Sequence, residues 1–557
     1  MAALRYKVGF LGIPGGQPIA DKWTAENIER LKALGFNTIQ LNVAWGSRPG
    51  DEPLNIEDIV ELTPEQMRDY PQTVPLRSAP SPEKREQRRD NLRKRIALCR
   101  AAGMRTIFHF GAPYNAHQRY GDGPPNCISD DAVAKRYALL IENFTREFPG
   151  VDDMLLYTYD QDAWLCSEFG PCPRCLGIPL HERIVPFIER LADAWRKVSP
   201  EGRLWWEPWE LSAGQVLACT ERIDPAKIGL SLHSNIAEVQ ATFVADRWLK
   251  NTCQIAQERG IPVIVEHWLG AASEELEPLS HFTHPLVTLR ALKEIAAIPG
   301  VSGIKEYYGL IPDRDDPNLR MTSLCFADSA VTEDEALRKA AAIYGDAADM
   351  MIDFWKLTSA GMELFPWDTS WYIREIGKCN PAHSTSMAML RGQQAHTPSW
   401  ESTRRAIFMK TDNAQPDPWM LEDVELRCRC AAERWTKALE LGKKIRLNDR
   451  YAAHLQETLD DLAKIIRRTL SYVYHLRETN LAAILRRSPG GPYSAHVVEE
   501  MKRTLADDIE SCRAEKECPE LEAALKLLQE DTAAFEKTYF REAPDKCSKG
   551  GFSVTSR

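Results

Sequence analysis

The chain has 557 residues and a mass of 63.1 kDa, too long for one ordinary hydrophobic core, so two or three domains are expected. Its 44% hydrophobic and 27% charged residues exclude a mostly disordered chain. A net charge of −10 and a pI near 5.8 argue against nucleic acid or an anionic membrane as partner, since both need a basic footprint, and no run of eighteen apolar residues is present to span a bilayer.

From the N-terminus to about residue 310, short β-rich apolar runs alternate with longer helical segments. The runs Val8–Ile13, Thr38–Ala44, Thr106–Phe110, Met154–Tyr159, Leu204–Glu207, Ile228–His233, Val263–Glu266 and Gly303–Tyr307 read as eight strands. Helical periodicity fills the gaps, for example over Ala25–Leu34, Arg88–Ala102, Asp131–Glu147, Pro179–Val198 and Asp246–Arg259. Gly35, Gly103 and Gly260 each follow a helical run and precede a strand, the position of a helix C-terminal stop. Eight alternating units in about 300 residues predict an α/β fold, a (β/α)8 TIM barrel. An open doubly wound sheet would bring a phosphate loop after its first strand, and Gly9, Gly12, Gly15 and Gly16 lack the GxGxxG order. The segment Ser47–Lys84, rich in proline and charge, reads as a loop insertion over one mouth.

Beyond Thr332 the strand-like runs stop. Amphipathic segments follow at Glu333–Tyr344, Ala347–Leu364, Trp419–Leu441, Arg450–Leu476, Ala495–Arg513 and Glu520–Lys537, predicting an all-α C-terminal region. The expected domains are a catalytic barrel over 1–330, a helical domain over 331–540 and a tail over 541–557. The helical part could pack on its own barrel or on that of a second copy, so a homo-oligomer stays open. Fourteen scattered cysteines, and an apolar run Val8–Gly12 too short and glycine-rich for a signal peptide, predict reduced thiols in the cytoplasm.

In a barrel of this class the reacting groups stand at the C-terminal ends of the strands. There the sequence places Asp160 and Asp162, Glu207, Glu266 and Glu306, on four of the five strands from the fourth to the eighth. Carboxylates leaving apolar strands are costly to bury unpaired, so their collection at one rim asks for a chemical reason. Paired carboxylates beside aromatic platforms suit glycoside cleavage: one protonates the leaving oxygen, the other attacks the anomeric carbon or activates water. Asp160, Glu266, Glu207 and Asp162 are the catalytic candidates. Trp45, Tyr114, Trp164, Trp206, Trp209, Trp268 and Tyr307 offer faces for a sugar, with Asn42, His109, His233 and Glu306 for its hydroxyls. Alternation puts Leu156, Thr158, Asp160 and Asp162 on one side of strand four and Tyr157 and Tyr159 on the other, with Asp160 nearly across the mouth from Glu266.

The Tyr-Asp-Gln-Asp-Ala-Trp run at 159–164, with Ala342–Ala348, Phe354-Trp355 and Phe365-Pro366-Trp367 after the barrel, resembles bacterial (β/α)8 glycoside hydrolases. The α-glucuronidase and β-N-acetylhexosaminidase groups, which also carry a helical region after the barrel, are the nearest in pattern, over about residues 1–370. Gln161 and Asp162 stand where hexosaminidases have an Asp-Glu pair, and the Glu that α-glucuronidases use as acid is missing. The resemblance therefore implies an O-glycosyl hydrolase in carbohydrate metabolism but no particular sugar; the bulky aromatics and the long insertion after strand two point separately to a closed pocket and exo action.

Two further expectations concern metals. Cys166, Cys172, Cys175 and His181 have the residue types of a structural zinc site, against which free thiols are the plainer reading. No cofactor is expected for catalysis itself. The competing function is a divalent-metal sugar isomerase or epimerase built on Glu207, His233, Glu266 and Glu306, with His109 and His267 in reach.

Overall fold

In the computed structural model, residues 4–12, 20–44, 52–76, 79–115, 124–159, 163–208, 211–233, 244–270, 276, 279, 281–307, 309–313, 315–366, 418–487, 490–515 and 517–539 are described. Eight parallel strands close into a barrel in sequence order: β1 Tyr6–Phe10, β2 Thr38–Gln40, β3 Arg105–Gly111, β4 Asp153–Tyr157, β5 Leu204–Glu207, β6 Ile228–Leu232, β7 Val263–His267 and β8 Val301–Glu306. Closure comes from β1 pairing with β8, Tyr6 opposite Gly303 and Val8 opposite Lys305. Every strand expected from the sequence is present, and the fold is a TIM barrel followed by a helical region.

The helices between strands start and stop for local reasons. Thr24 Oγ1 accepts from Asn27 N at 3.2 Å and caps Ala25–Ala33, while Asp246 Oδ1 accepts from Leu249 N at 2.7 Å and caps Arg247–Arg259. The three glycine stops have φ of +99°, +70° and +72°, a left-handed geometry that a side chain would strain.

Small and large residues alternate inside the barrel. A Cβ on Gly111 would lie 2.3 Å from the Tyr157 ring, one on Gly229 2.5 Å from the Trp205 ring, and one on Gly303 2.5 Å from Tyr6. Gly111 and Gly229 make room for an aromatic ring on another strand, and Gly303 for the backbone and Cβ of Tyr6. Tyr6 and Trp205 meet edge to face with centroids 4.9 Å apart and join Val8, Ile107, Leu155 and Ile264 in one packed layer.

The insertion after β2 is not a bare loop. It carries short helices at Ile56–Ile59 and Pro64–Asp69 and is tied to the C-terminal end of the barrel, where Asn55 bonds both Gly111 N and Gly111 O. Glu57 lies buried under it and accepts from the Tyr137 hydroxyl at 2.6 Å. Burial pushes its carboxyl up from 4.5 to about 7, more than that hydrogen bond pulls it down. The folded state therefore holds a proton that the unfolded chain releases, and stability falls as pH rises from the ordinary carboxyl value through about 7. Glu57→Gln still accepts from Tyr137 but cannot ionise. Its stability relative to wild type, from urea melts, is expected to rise by roughly 3 kcal/mol between the two ends of that window. An equal difference at both ends would mean that Glu57 titrates normally.

Contact density divides the chain into two compact units. The first is drawn from residues 1–270, 288–331 and 555–557, the second from 271–287 and 332–554. The described helices of the second are Glu333–Ala341, Ala348–Leu364, Pro418–Gly442, Asp449–Arg487, Ser494–Arg513, Pro519–Glu530 and Thr532–Tyr539. Asp449–Arg487 runs past the expected Leu476, since Leu485 and Ala482 join the core formed with Val498, Leu505 and Leu521. The last expected helix is two, broken at Asp531, whose Oδ1 accepts from Ala534 N at 3.0 Å and starts the second. None of the described helices is long and apolar enough to cross a membrane. The tail over 541–557 lies outside the described residues.

Candidate active site

Strand alternation stacks the interior in layers. Above Ile107, Leu155, Trp205 and Ile264, each strand's next inward residue is His109, Tyr157, Glu207 or Glu266. Strands β3 and β5 are not neighbours, yet His109 Nε2 lies 3.4 Å from Glu207 Oε2, a contact that only the barrel interior allows. Both side chains are 1% exposed. His109 Nδ1 accepts from Ala44 N at 3.3 Å, which leaves Nε2 as the nitrogen carrying a proton toward Glu207. Tyr157 lies beside them, its ring 5.3 Å from that of His109 and its hydroxyl donating to Ala44 O at 3.3 Å.

Glu266 and Lys305 are register partners on β7 and β8, with Lys305 Nζ 3.4 Å from Glu266 Oε2; Ser231 Oγ donates to Oε1 at 2.6 Å. An ammonium thus stands where the isomerase reading would need a divalent ion. Glu306 accepts from the backbone N–H of Leu269 at 2.9 Å and of Gly309 at 3.3 Å, so its carboxylate orders the turns after β7 and β8. His233 is buried at the end of β6, and His267 at the end of β7. Among the described residues, the convergent groups of three or more potential metal ligands do not include Glu207, His233, Glu266 or Glu306.

The remaining expected residues divide by what they touch. Asn42 is consumed by backbone: Nδ2 donates to Leu54 O and His109 O, and Oδ1 accepts from His109 N. Trp206 is fully buried on the outward face, where Nε1 donates to Thr158 Oγ1 at 3.1 Å. Tyr114 is buried against Val74 and bridges to Ala163. Trp164 is half-buried and packs edge to face with Tyr159, and Trp268 does the same with Tyr307 at 4.7 Å. Trp45, Asp160, Asp162 and Trp209 lie outside the described residues. Among the described residues of β4 the inward face is that of Leu155 and Tyr157. Tyr157 and Ser231 complete the interior without having been singled out, whereas Lys305 is the neighbour with which a rim carboxylate could be expected simply to pair, and Glu266 does so. The adjacent charges in Val-Glu-His and Ile-Lys-Glu carry the Glu266–Lys305 pairing only once β7 and β8 are known to be neighbours.

Beside this mouth, Cys127, Cys166, Cys172 and Cys175 converge, buried, with all four Sγ atoms within 4.8 Å of one another. His181, expected in that group, is absent from it; its Nε2 lies 3.9 Å from Glu182 Oε1, and Cys127 provides the fourth side chain. A hydrogen bond with Cys166 is the largest cause holding the Cys127 thiol down at about 5, and the same bond drives Cys166 well up.

No protein-family model matches the sequence, and no curated protein matches it. Solved structures do share the fold. A GH138 enzyme targeting pectin rhamnogalacturonan II aligns with a TM-score of 0.56 and 12% identity, over 95% of this chain and 63% of that one. The protein CpGH84B aligns with a TM-score of 0.41 and 12% identity over 96% and 77%, and a Bacteroidetes-affiliated GH5 cellulase with 0.39 and 11% over 60% and 95%. This chain therefore spans less than two thirds of the GH138 enzyme's length, and what it shares with that enzyme at 12% identity is the fold.

Proposed function

We propose that the protein hydrolyses a glycosidic bond at the C-terminal mouth of the barrel. The observation that carries this reading is the buried Glu207–His109 contact in the same interior layer as Glu266. Two carboxylates and a protonated imidazole nitrogen stand there at the strand ends where this fold does its chemistry. Glu207 is the acid/base residue in this reading. His109 orients its carboxyl and exchanges a proton with it. Glu266 accepts from Ser231 and faces an ammonium, so it suits the role of acceptor, as nucleophile or base. Asp160 and Asp162 are the alternatives for that second role, by their sequence position. Trp164, half-buried, would cover the apolar face of the sugar, with the buried Trp268–Tyr307 pair backing the site. The insertion tied to the end of β3 supports a pocket closed on one side, hence exo action. The substrate is a carbohydrate, and no cofactor takes part in the reaction.

The test is hydrolysis of a panel of nitrophenyl glycosides with and without EDTA. Glucuronides and N-acetylhexosaminides belong on it, as do pectin-derived oligosaccharides, because the GH138 enzyme that shares the fold targets a pectin. Release of one sugar at an EDTA-insensitive rate is the expected result. Isomerisation of a free sugar that EDTA abolishes, with no release from any glycoside, would overturn the reading.

A further inference from the structure

Four cysteines in one buried cluster have no part in the proposed hydrolysis. Cys127 lies in the segment between β3 and the helix Asp131–Glu147; Cys166, Cys172 and Cys175 lie between β4 and the helix Leu180–Val198. The resolved sulfur separations are 3.3 Å for Cys127–Cys175 and 3.9 Å for Cys127–Cys172. A disulfide would bring a pair to about 2.05 Å. A regular tetrahedron of thiolates about 2.3 Å from a central zinc has edges of about 3.8 Å, which is the scale found here. The Cys172-Pro173-Arg174-Cys175 segment is wound into a tight turn: Cys175 N and Leu176 N both donate to Cys172 O, at 3.1 and 3.0 Å. That turn carries two sulfurs to one side of the backbone.

A second observation points to the same place. Arg183 is 5% exposed and spends its donors on the carbonyls of Cys166 and Ile178, both at 2.9 Å. Among the described residues no carboxylate lies within ion-pair distance of it. A buried guanidinium without a counter-charge is expensive. Four thiolates around a divalent ion have a net charge of −2, and that is the charge Arg183 would answer.

We propose that Cys127, Cys166, Cys172 and Cys175 bind one zinc ion in a closed tetrahedral four-sulfur site. On binding, the thiols release their protons to solvent and the ion accepts four sulfur lone pairs, with no redox change. The ion cross-links the loops after β3 and β4. Asn126, next to Cys127, donates to Tyr114 O and accepts through its carbonyl from Asn115, whose amide also reaches Trp164 O at 2.9 Å. The zinc therefore positions Tyr114 and Trp164 without touching them.

Three measurements on the full chain, purified under reducing conditions, test this independently of any activity. Elemental analysis is expected to find about one zinc per chain, and X-ray absorption four sulfurs at about 2.3 Å. Cys127→Ser is expected to lose the zinc, and His181→Ala to keep it. If Cys127→Ser does not fold, titration of the wild-type thiols with a mercurial serves instead, releasing the ion to a chromogenic chelator. Iron in place of zinc, a chain that stays metal-free after zinc reconstitution, or a nitrogen and oxygen shell would each overturn the proposal. The last would put the ion at His475, Glu478 and Asp508 or at His281, His454 and Glu457. Zinc lost from His181→Ala would overturn the assignment of Cys127.

Discussion

Glu207→Gln is expected to lower turnover of the glycoside identified on the panel by about 10²- to 10⁴-fold, the usual worth of a positioned acid/base group. Its melting temperature should move little, because the amide has the same shape and its oxygen can face His109 Nε2 as the carboxylate does. If Glu207 is the acid/base residue, the loss should fall on kcat more than on KM, since its carboxyl would act on the leaving oxygen and not merely hold the sugar. A second assay separates the role: substrates with good leaving groups need less protonation and should lose less rate. A Glu207→Gln enzyme with near-normal kcat on all substrates would remove Glu207 from the chemistry and return attention to Asp160, Asp162 and Glu266.

The second large effect concerns folding. Arg95 and Glu52 form a two-pronged ion pair, at 2.5 and 2.6 Å, with both side chains 1% exposed. Arg95 Nη1 also donates to Leu41 O at 2.6 Å, and its guanidinium lies 4.6 Å from the centre of the Trp23 ring. The pair fastens the insertion after β2 to the helix Pro82–Ala101. Arg95→Met leaves the Glu52 carboxylate buried without its counter-charge, and the expected cost is about 3–5 kcal/mol. Adding Glu52→Leu should recover much of that loss, because an apolar pair of similar volume has no charge to desolvate. Urea melts of both single variants and the double variant measure the coupling. A single-variant cost below about 1 kcal/mol would mean that water reaches the pair, as it does at surface bridges.

The barrel was legible because its signals are local. Strands of three to seven residues and glycine-terminated helices leave marks within a window of ten or so residues, and the closed topology follows from their count and order. The site was legible only by class. Glu207 and Glu266 could be placed at strand ends, but whether a carboxylate there meets a substrate or a lysine depends on which strands become neighbours. Lys305 is 39 residues from Glu266 in sequence and directly opposite it in register. Asn42 shows the opposite failure: its chemistry suits a sugar hydroxyl, and folding spends it on three backbone groups instead. Cys127 left no trace near the other cysteines, because the loop that brings it to them starts on a different strand. His181 sat at an acceptable spacing, and spacing does not reveal direction.

The layer of Tyr6, Val8, Ile107, Leu155, Trp205 and Ile264 has a consequence for traffic through the protein. With that layer filled, the barrel is blind-ended below Glu207. Under the proposed reading, a ligand at Glu207 and the water for hydrolysis would both pass on the side of the C-terminal strand ends, since among the described residues this layer closes the other side. Released sugar and incoming substrate would then exclude each other, so in this reading the last product to leave would govern when the next turnover can begin.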